Sequence, residues 1–170
     1  MAKINTTGER KAFERKIYQL VDDSYEGTIT KVSDPITTKP FAEGEKSQTK
    51  VIIECTIPQG DRESAVLQLW TTLVVSKGGT TKSGETYSNS KLYDILDKAN
   101  LIGELEKFVE VEGDDDGNLA DEKLVSFMRS FLINRTGKID VETRKRLDGE
   151  RYSIARSIKR FTDIVENVKA

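Results

Sequence analysis

"GKIDVETRKRLDGERYSIARSIKRF", residues 137–161, alternates apolar and polar positions on both sides of Asp148-Gly149. The alternation predicts two strands and the Asp-Gly pair predicts the turn between them, because an Asp-Gly pair accepts the positive φ of a two-residue β-turn. With Asp148 and Gly149 at the turn centre, Leu147 is expected opposite Glu150, Thr143 opposite Ile154 and Ile139 opposite Ile158. One face then carries Ile139, Val141, Tyr152, Ile154 and Ile158. The other gathers Arg144, Arg146 and Arg151 beside Asp140 and Glu142.

The hairpin is also where positive charge concentrates. Residues 135–160 hold nine basic against four acidic side chains, whereas the 170-residue chain has 27 basic, 29 acidic and a net charge of -2. The remainder therefore holds 18 basic against 25 acidic residues. Such a chain is not drawn to phosphate everywhere, and any nucleic-acid surface must be local. A solvated face laced with salt bridges is the plain alternative for the same charges.

Composition removes much chemistry. With no histidine and a single cysteine, Cys55, there is no His/Cys zinc cage, Ser-His-Asp triad or Cys-His pair. In "GDDDGN" a calcium loop starting at Asp114 would need Gly where Leu119 stands and Glu where Val125 stands, so an acidic turn is expected. No acid cluster has the spacing of a carboxylate-dependent nuclease, and neither a cofactor nor catalysis is expected. No run of about 18 apolar residues suits a membrane helix, and "MAKINTTGER" lacks the apolar core of a signal peptide. A soluble protein of the cytoplasm, or of a host cytoplasm, is the expectation.

Upstream of the hairpin, "TTGERKAFERKIYQLVDD" spaces Phe13, Ile17, Leu20 and Val21 by about one helical turn and predicts an amphipathic helix over 8–22. "YEGTITKV" has β-branched strand character, with Gly27 marking a bend and Pro35 the stop. "SDPITTKPFAEGEKSQ" predicts a loop. In "KVIIECTIP" Val51, Ile53, Cys55 and Ile57 share the core-facing parity. In "SAVLQLWTTLVV" the core set is Leu67, Leu69, Leu73 and Val75, which leaves Trp70 on the other face. A helix is predicted from about 90 to 99, capped by Ser88, Asn89 or Ser90, and a second, entered from Asp121, carries Leu124, Phe127, Met128 and Phe131. "RFTDIVENVKA" closes the chain as a short helix or tail.

Between the third strand and the helix lies "SKGGTTKSGETYSNS". If Lys82-Ser83 were the K-[ST] pair of a phosphate loop, its two glycines would have to stand at Thr81 and Ser76, and neither is glycine. The expectation is a Gly/Ser/Thr connection, mobile until ordered, offering Lys77 and Lys82 to phosphates and Tyr87 to a base.

In order, "YEGTITKV", "TKVIIECTI", "SNSKLYDIL" and "LDGERYSIARSI" resemble the small phage-type single-stranded DNA-binding proteins of the OB-fold class, over roughly residues 24–160. In that family a glycine often precedes the hairpin where this chain has Asn134, and many members end in an acidic tail that "VENVKA" lacks. The resemblance implies a mainly β fold, a five-stranded OB-like barrel with a helix between strands 3 and 4. Residues 1–23 and 161–170 would be terminal additions, helical at least at the start. It also implies sequence-tolerant binding of single-stranded DNA, or RNA by the same chemistry, in replication or recombination.

The candidate contacts are Trp70 and Phe41 for stacking, with Tyr87, and Lys39, Lys50, Lys77, Lys82, Arg144, Arg146 and Arg151 for phosphates. The competing expectation is a protein-interaction module without nucleic-acid binding, in which amphipathic terminal helices dock a second subunit.

Overall fold

A computed structural model of the chain describes residues 20–38 and 47–162. These are mainly β with three helices: β1 (Asp23–Val32), β2 (Ile36–Thr38), β3 (Gln48–Gln59), β4 (Arg62–Thr72), β5 (Gly79–Thr80), β6 (Thr86–Tyr87), α1 (Lys91–Lys98), α2 (Ile102–Glu112), α3 (Asp121–Leu132), β7 (Thr136–Lys145) and β8 (Arg151–Phe161).

The long strands form one antiparallel sheet in the order β4-β3-β1-β7-β8. Short β2 pairs with the start of β3, on the edge β3 shares with β1. It lies within the segment expected to be loop. Two antiparallel steps separate β1 from β4 on one side and from β8 on the other, so β4 and β8 run in the same direction. They approach each other, but no ladder joins them among the described residues. The sheet is therefore open where the resemblance implies closure. Helix α1 packs against both of these edge strands and sends Leu92, Ile95 and Leu96 into the core between them.

The parity of β3 is as read: Val51, Ile53, Cys55 and Ile57 are all buried, together with Leu67 and Leu69 of β4. β-Branched side chains pack well on a pleated face, and burying each stabilises the fold by about 1.5 to 3 kcal/mol. Cys55 is a core residue whose thiol pKa is pushed up to about 12, first by burial and second by the neighbouring Glu54 carboxylate.

Gly27 stands opposite Gly137 where β1 crosses β7. A Cβ on Gly27 would lie 2.6 Å from Ile139 Cδ1 and 3.0 Å from the Thr56 carbonyl oxygen, so the expected bend is also a point of close approach. Two residues on, a register irregularity between Ile29 and Lys31 twists β1 against β3.

The hairpin departs from its predicted register. Its turn closes with Arg146 N–H donating to the Glu150 carbonyl at 2.8 Å and Gly149 N–H to the Arg146 carbonyl at 3.0 Å. The loop is thus Leu147-Asp148-Gly149, with Gly149 alone at positive φ (90°), the three-residue form an Asp-Gly pair also serves. This one-residue slip sets Thr143 opposite Ser153, Glu142 opposite Ile154 and Arg144 opposite Tyr152. Tyr152 and Ile154 therefore leave the core face, which Ser153 and Ala155 take instead. A second irregularity between Asp140 and Val141 restores the predicted pair Ile139–Ile158.

The helix predicted over 8–22 lies outside the described residues as far as 19. Residues 20–22 are not helical: Leu20 N–H donates to Ser153 Oγ at 2.8 Å, and Asp22 Oδ1 accepts from Thr143 N–H at 2.9 Å and from its hydroxyl at 2.7 Å. Backbone donors there bond across to the hairpin rather than along a helix. Residues 163–170 also lie outside the description.

Helix α1 is capped by Ser90, whose hydroxyl accepts from Tyr93 N–H at 3.2 Å. Helix α2 was not anticipated; it starts at Leu101 without a side-chain cap, just after Asn100 breaks the chain at φ 58°. Before β7, Asn134 takes φ 74°, the left-handed conformation that the family's glycine would supply and that Asn tolerates better than most residues. Arg135 then ties the helical layer together, donating from Nε to the Phe131 carbonyl at 2.7 Å and from Nη1 to the Ala99 carbonyl at 2.9 Å.

Candidate nucleic-acid interface

The face of β3 and β4 turned away from the core pairs Lys50 with Thr72, Ile52 with Trp70 and Glu54 with Gln68. Alternation along β4 puts Leu67, Leu69 and Thr71 inside and therefore holds Trp70 outside, 41% exposed. Its indole N–H donates to Gln68 Oε1 at 3.3 Å, which leaves the ring faces for other contacts. Ile52 extends the apolar platform under the indole, and Lys50 sits one pair further along.

The strand approaching β4 from the other edge of the sheet is β8, whose outward residues are Tyr152, Ile154 and Arg156. The slipped register assembles the aromatic-basic group here. Arg144 stands opposite Tyr152, and the Arg146 guanidinium lies 5.4 Å from the centre of the Tyr152 ring, within cation–π range. Acids partly balance these cations: Arg144 meets Glu142 at 3.6 Å and Arg146 meets Glu150 at 3.6 Å. Arg151 pairs with Lys145, on the opposite side of the hairpin from Arg144, so the expected trio of arginines on one face is a pair.

Lys91, in the first turn of α1, belongs to the same basic group. Burial holds its ammonium below the usual lysine range, the charges of Arg144 and Arg156 push it the same way, and Glu142 opposes them. Three cations gathered with one acid make a place where an anion is favoured. Sequence reasoning missed Lys91, Tyr152 and Arg156; Tyr152 was assigned to the core face, and the other two join the group through tertiary packing.

The remaining candidates are elsewhere. The "GGTTKSG" connection folds on itself, β5 pairing with β6 through Gly79–Tyr87 and Thr80–Thr86. Gly78 N–H donates to Asn89 Oδ1 at 2.5 Å, and Ser90 N–H donates to the Ser76 carbonyl at 2.9 Å. Tyr87 is 55% exposed on this small hairpin, and Lys82 lies between its strands. Lys77 lines a different feature, a cavity of about 490 Å³ between the end of β4, α1, α2 and the α2–α3 connection. Its walls include Leu73, Val75, Leu105, Val109 and Leu119, with Glu106 beside them. Lys39 and Phe41 lie outside the described residues.

The acidic turn is a closed local structure: Asp114 Oδ1 accepts from Asp116 N–H at 3.0 Å and from Asn118 N–H at 2.8 Å. Compared with known protein families, curated proteins and solved structures, the chain shows no match.

Proposed function

We propose that the chain binds single-stranded nucleic acid, DNA in the first place, with little sequence preference and without catalysing a reaction. Bases stack on Trp70 and Tyr152, while Lys50, Lys91, Arg144, Arg146 and Arg156 neutralise phosphates. The observation that carries this reading is an exposed tryptophan on the outer face of β3–β4, on a strand approached by one bearing a Tyr–Arg group. Each base stacked on an aromatic ring contributes about 1 to 3 kcal/mol, whatever the base.

The strand order supports an OB-like reading of the sheet. Counting the long strands only, β3 and β4 are the second and third, and β7–β8 forms the hairpin of the fourth and fifth. In OB folds these are the face and one of the loops that take oligonucleotides. Such a protein would serve replication or recombination by covering exposed single strands.

The direct experiment is fluorescence anisotropy of labelled oligo-dT titrated with the full chain at low and high salt. Saturable binding that weakens as salt rises supports the proposal. No anisotropy change at low salt overturns it. A second reading, a protein-interaction module, is favoured by the apolar cavity beside α2 and by the net charge of -2.

A further inference from the structure

Two surfaces that take no part in the proposed interface match each other. One is the tip of the β7–β8 hairpin, where Leu147 is 110% exposed relative to a reference residue, beside Lys145 and Arg146. The acids of this tip are turned inward: Asp148 Oδ1 accepts from Glu150 N–H at 2.9 Å, and Glu150 faces Arg146 at 3.6 Å. The outward character of the tip is thus apolar and cationic.

The other surface is the cavity of about 490 Å³ beside α2, walled by Leu73, Val75, Leu105, Val109 and Leu119. Its surroundings are strongly acidic. Residues 104–123, which run through α2 and the connection into α3, hold nine acidic side chains against two basic ones. Glu106 lines the cavity itself. An apolar recess with an anionic rim favours an apolar anchor carried between cations. Leu147 with Lys145 and Arg146 has that composition, and it is carried on a rigid turn.

We infer that the chain associates head to tail, the hairpin tip of one copy seating Leu147 in the α2 cavity of the next. Because tip and cavity are different parts of the surface, the contact is heterologous, and each copy keeps one tip and one cavity for further neighbours. Copies laid in a row along a single strand would then bind it cooperatively, as many such proteins do. The association rests only on the two surfaces named, and it is testable without nucleic acid.

The test is sedimentation velocity on the full chain over a wide concentration range at low and high salt, with two variants. The wild type is expected to grow in mass with concentration and to dissociate as salt rises. Leu147→Asp removes the anchor, and Val109→Lys fills the cavity with charge. Each is expected to weaken association by roughly ten- to hundredfold, the factor that corresponds to losing one buried leucine.

The mixture is decisive: Leu147→Asp keeps its cavity and Val109→Lys keeps its tip, so together they form pairs that do not extend. Should Val109→Lys fail to fold, the rim change Glu106→Lys takes its place. A wild type that stays monomeric throughout, a Leu147→Asp chain that associates like the wild type, or a mixture that does not pair would overturn the inference. So would a cavity that captures only an unrelated basic peptide.

Discussion

Arg146 holds its guanidinium 5.4 Å from the centre of the Tyr152 ring, on the outer face of the hairpin. The contact exists because the turn has three residues rather than two, which moves Tyr152 off the core face and sets it opposite Arg144. If this group contacts nucleic acid, Tyr152→Ala weakens oligo-dT binding by about 1 to 3 kcal/mol. Arg144→Gln lowers the salt dependence by about one phosphate contact. Arg151→Gln, across the hairpin, leaves that slope unchanged. Titrations at several salt concentrations separate the three variants, and equal effects from Arg144 and Arg151 would contradict the assignment.

A second prediction concerns the crossing of β1 and β7. With Ile139 Cδ1 at 2.6 Å and the Thr56 carbonyl oxygen at 3.0 Å from where a Cβ would stand, Gly27→Ala forces the Ile139 side chain to shift. Overpacking of this kind destabilises by about 1 to 3 kcal/mol. Urea unfolding followed by far-UV circular dichroism measures it; an unchanged midpoint would show that the crossing has room to spare.

These two sites show how unevenly the molecule was legible. Val51, Ile53, Cys55 and Ile57 were readable as one core face because alternation along a strand needs no tertiary information. The hairpin itself was equally readable. Its register was not, since Asp-Gly serves both a two-residue and a three-residue loop, and the choice between them decides on which side Tyr152 stands. Helix α2 escaped notice because it begins at an uncapped Leu101 right behind Asn100, where the start signal is weakest. Trp70 was placed correctly by parity alone, whereas Lys91 joins Arg144 and Arg156 only through the packing of α1 beside β8.

Cys55 gives a prediction on reactivity and on alkaline stability. Burial first, then Glu54, raises its thiol to about 12 from an ordinary value of 9.0. Below pH 9 both folded and unfolded chains keep the proton, and the thiol adds no pH dependence. Above it the unfolded chain loses the proton first, so this contribution to stability declines as pH rises toward 12. Ellman's reagent at pH 8 is expected to leave the native chain unmodified and to label the urea-unfolded chain fully. Rapid labelling of the native chain would contradict the burial.

Arg135 is predicted to matter for stability rather than binding. It satisfies carbonyls at the C-terminal ends of α3 and α1, at 2.7 Å from Phe131 and 2.9 Å from Ala99. These are ends at which a cation is favoured. Arg135→Ala is expected to cost about 1.5 to 3 kcal/mol, read as a lowered urea midpoint. Oligo-dT affinity measured well below that midpoint should be unchanged, and a loss of binding without a loss of stability would reassign the residue to the interface.

The central claim is that the outer face of β3–β4 receives bases, and Trp70 reports on it directly as the only tryptophan of the chain. Its fluorescence should be quenched on titration with oligo-dT at low salt and recover when salt is raised. With Trp70→Leu, binding should weaken by about 1 to 3 kcal/mol while the urea midpoint stays in place. An emission spectrum that does not change while labelled oligo-dT is shown to bind would put the interface elsewhere on the molecule.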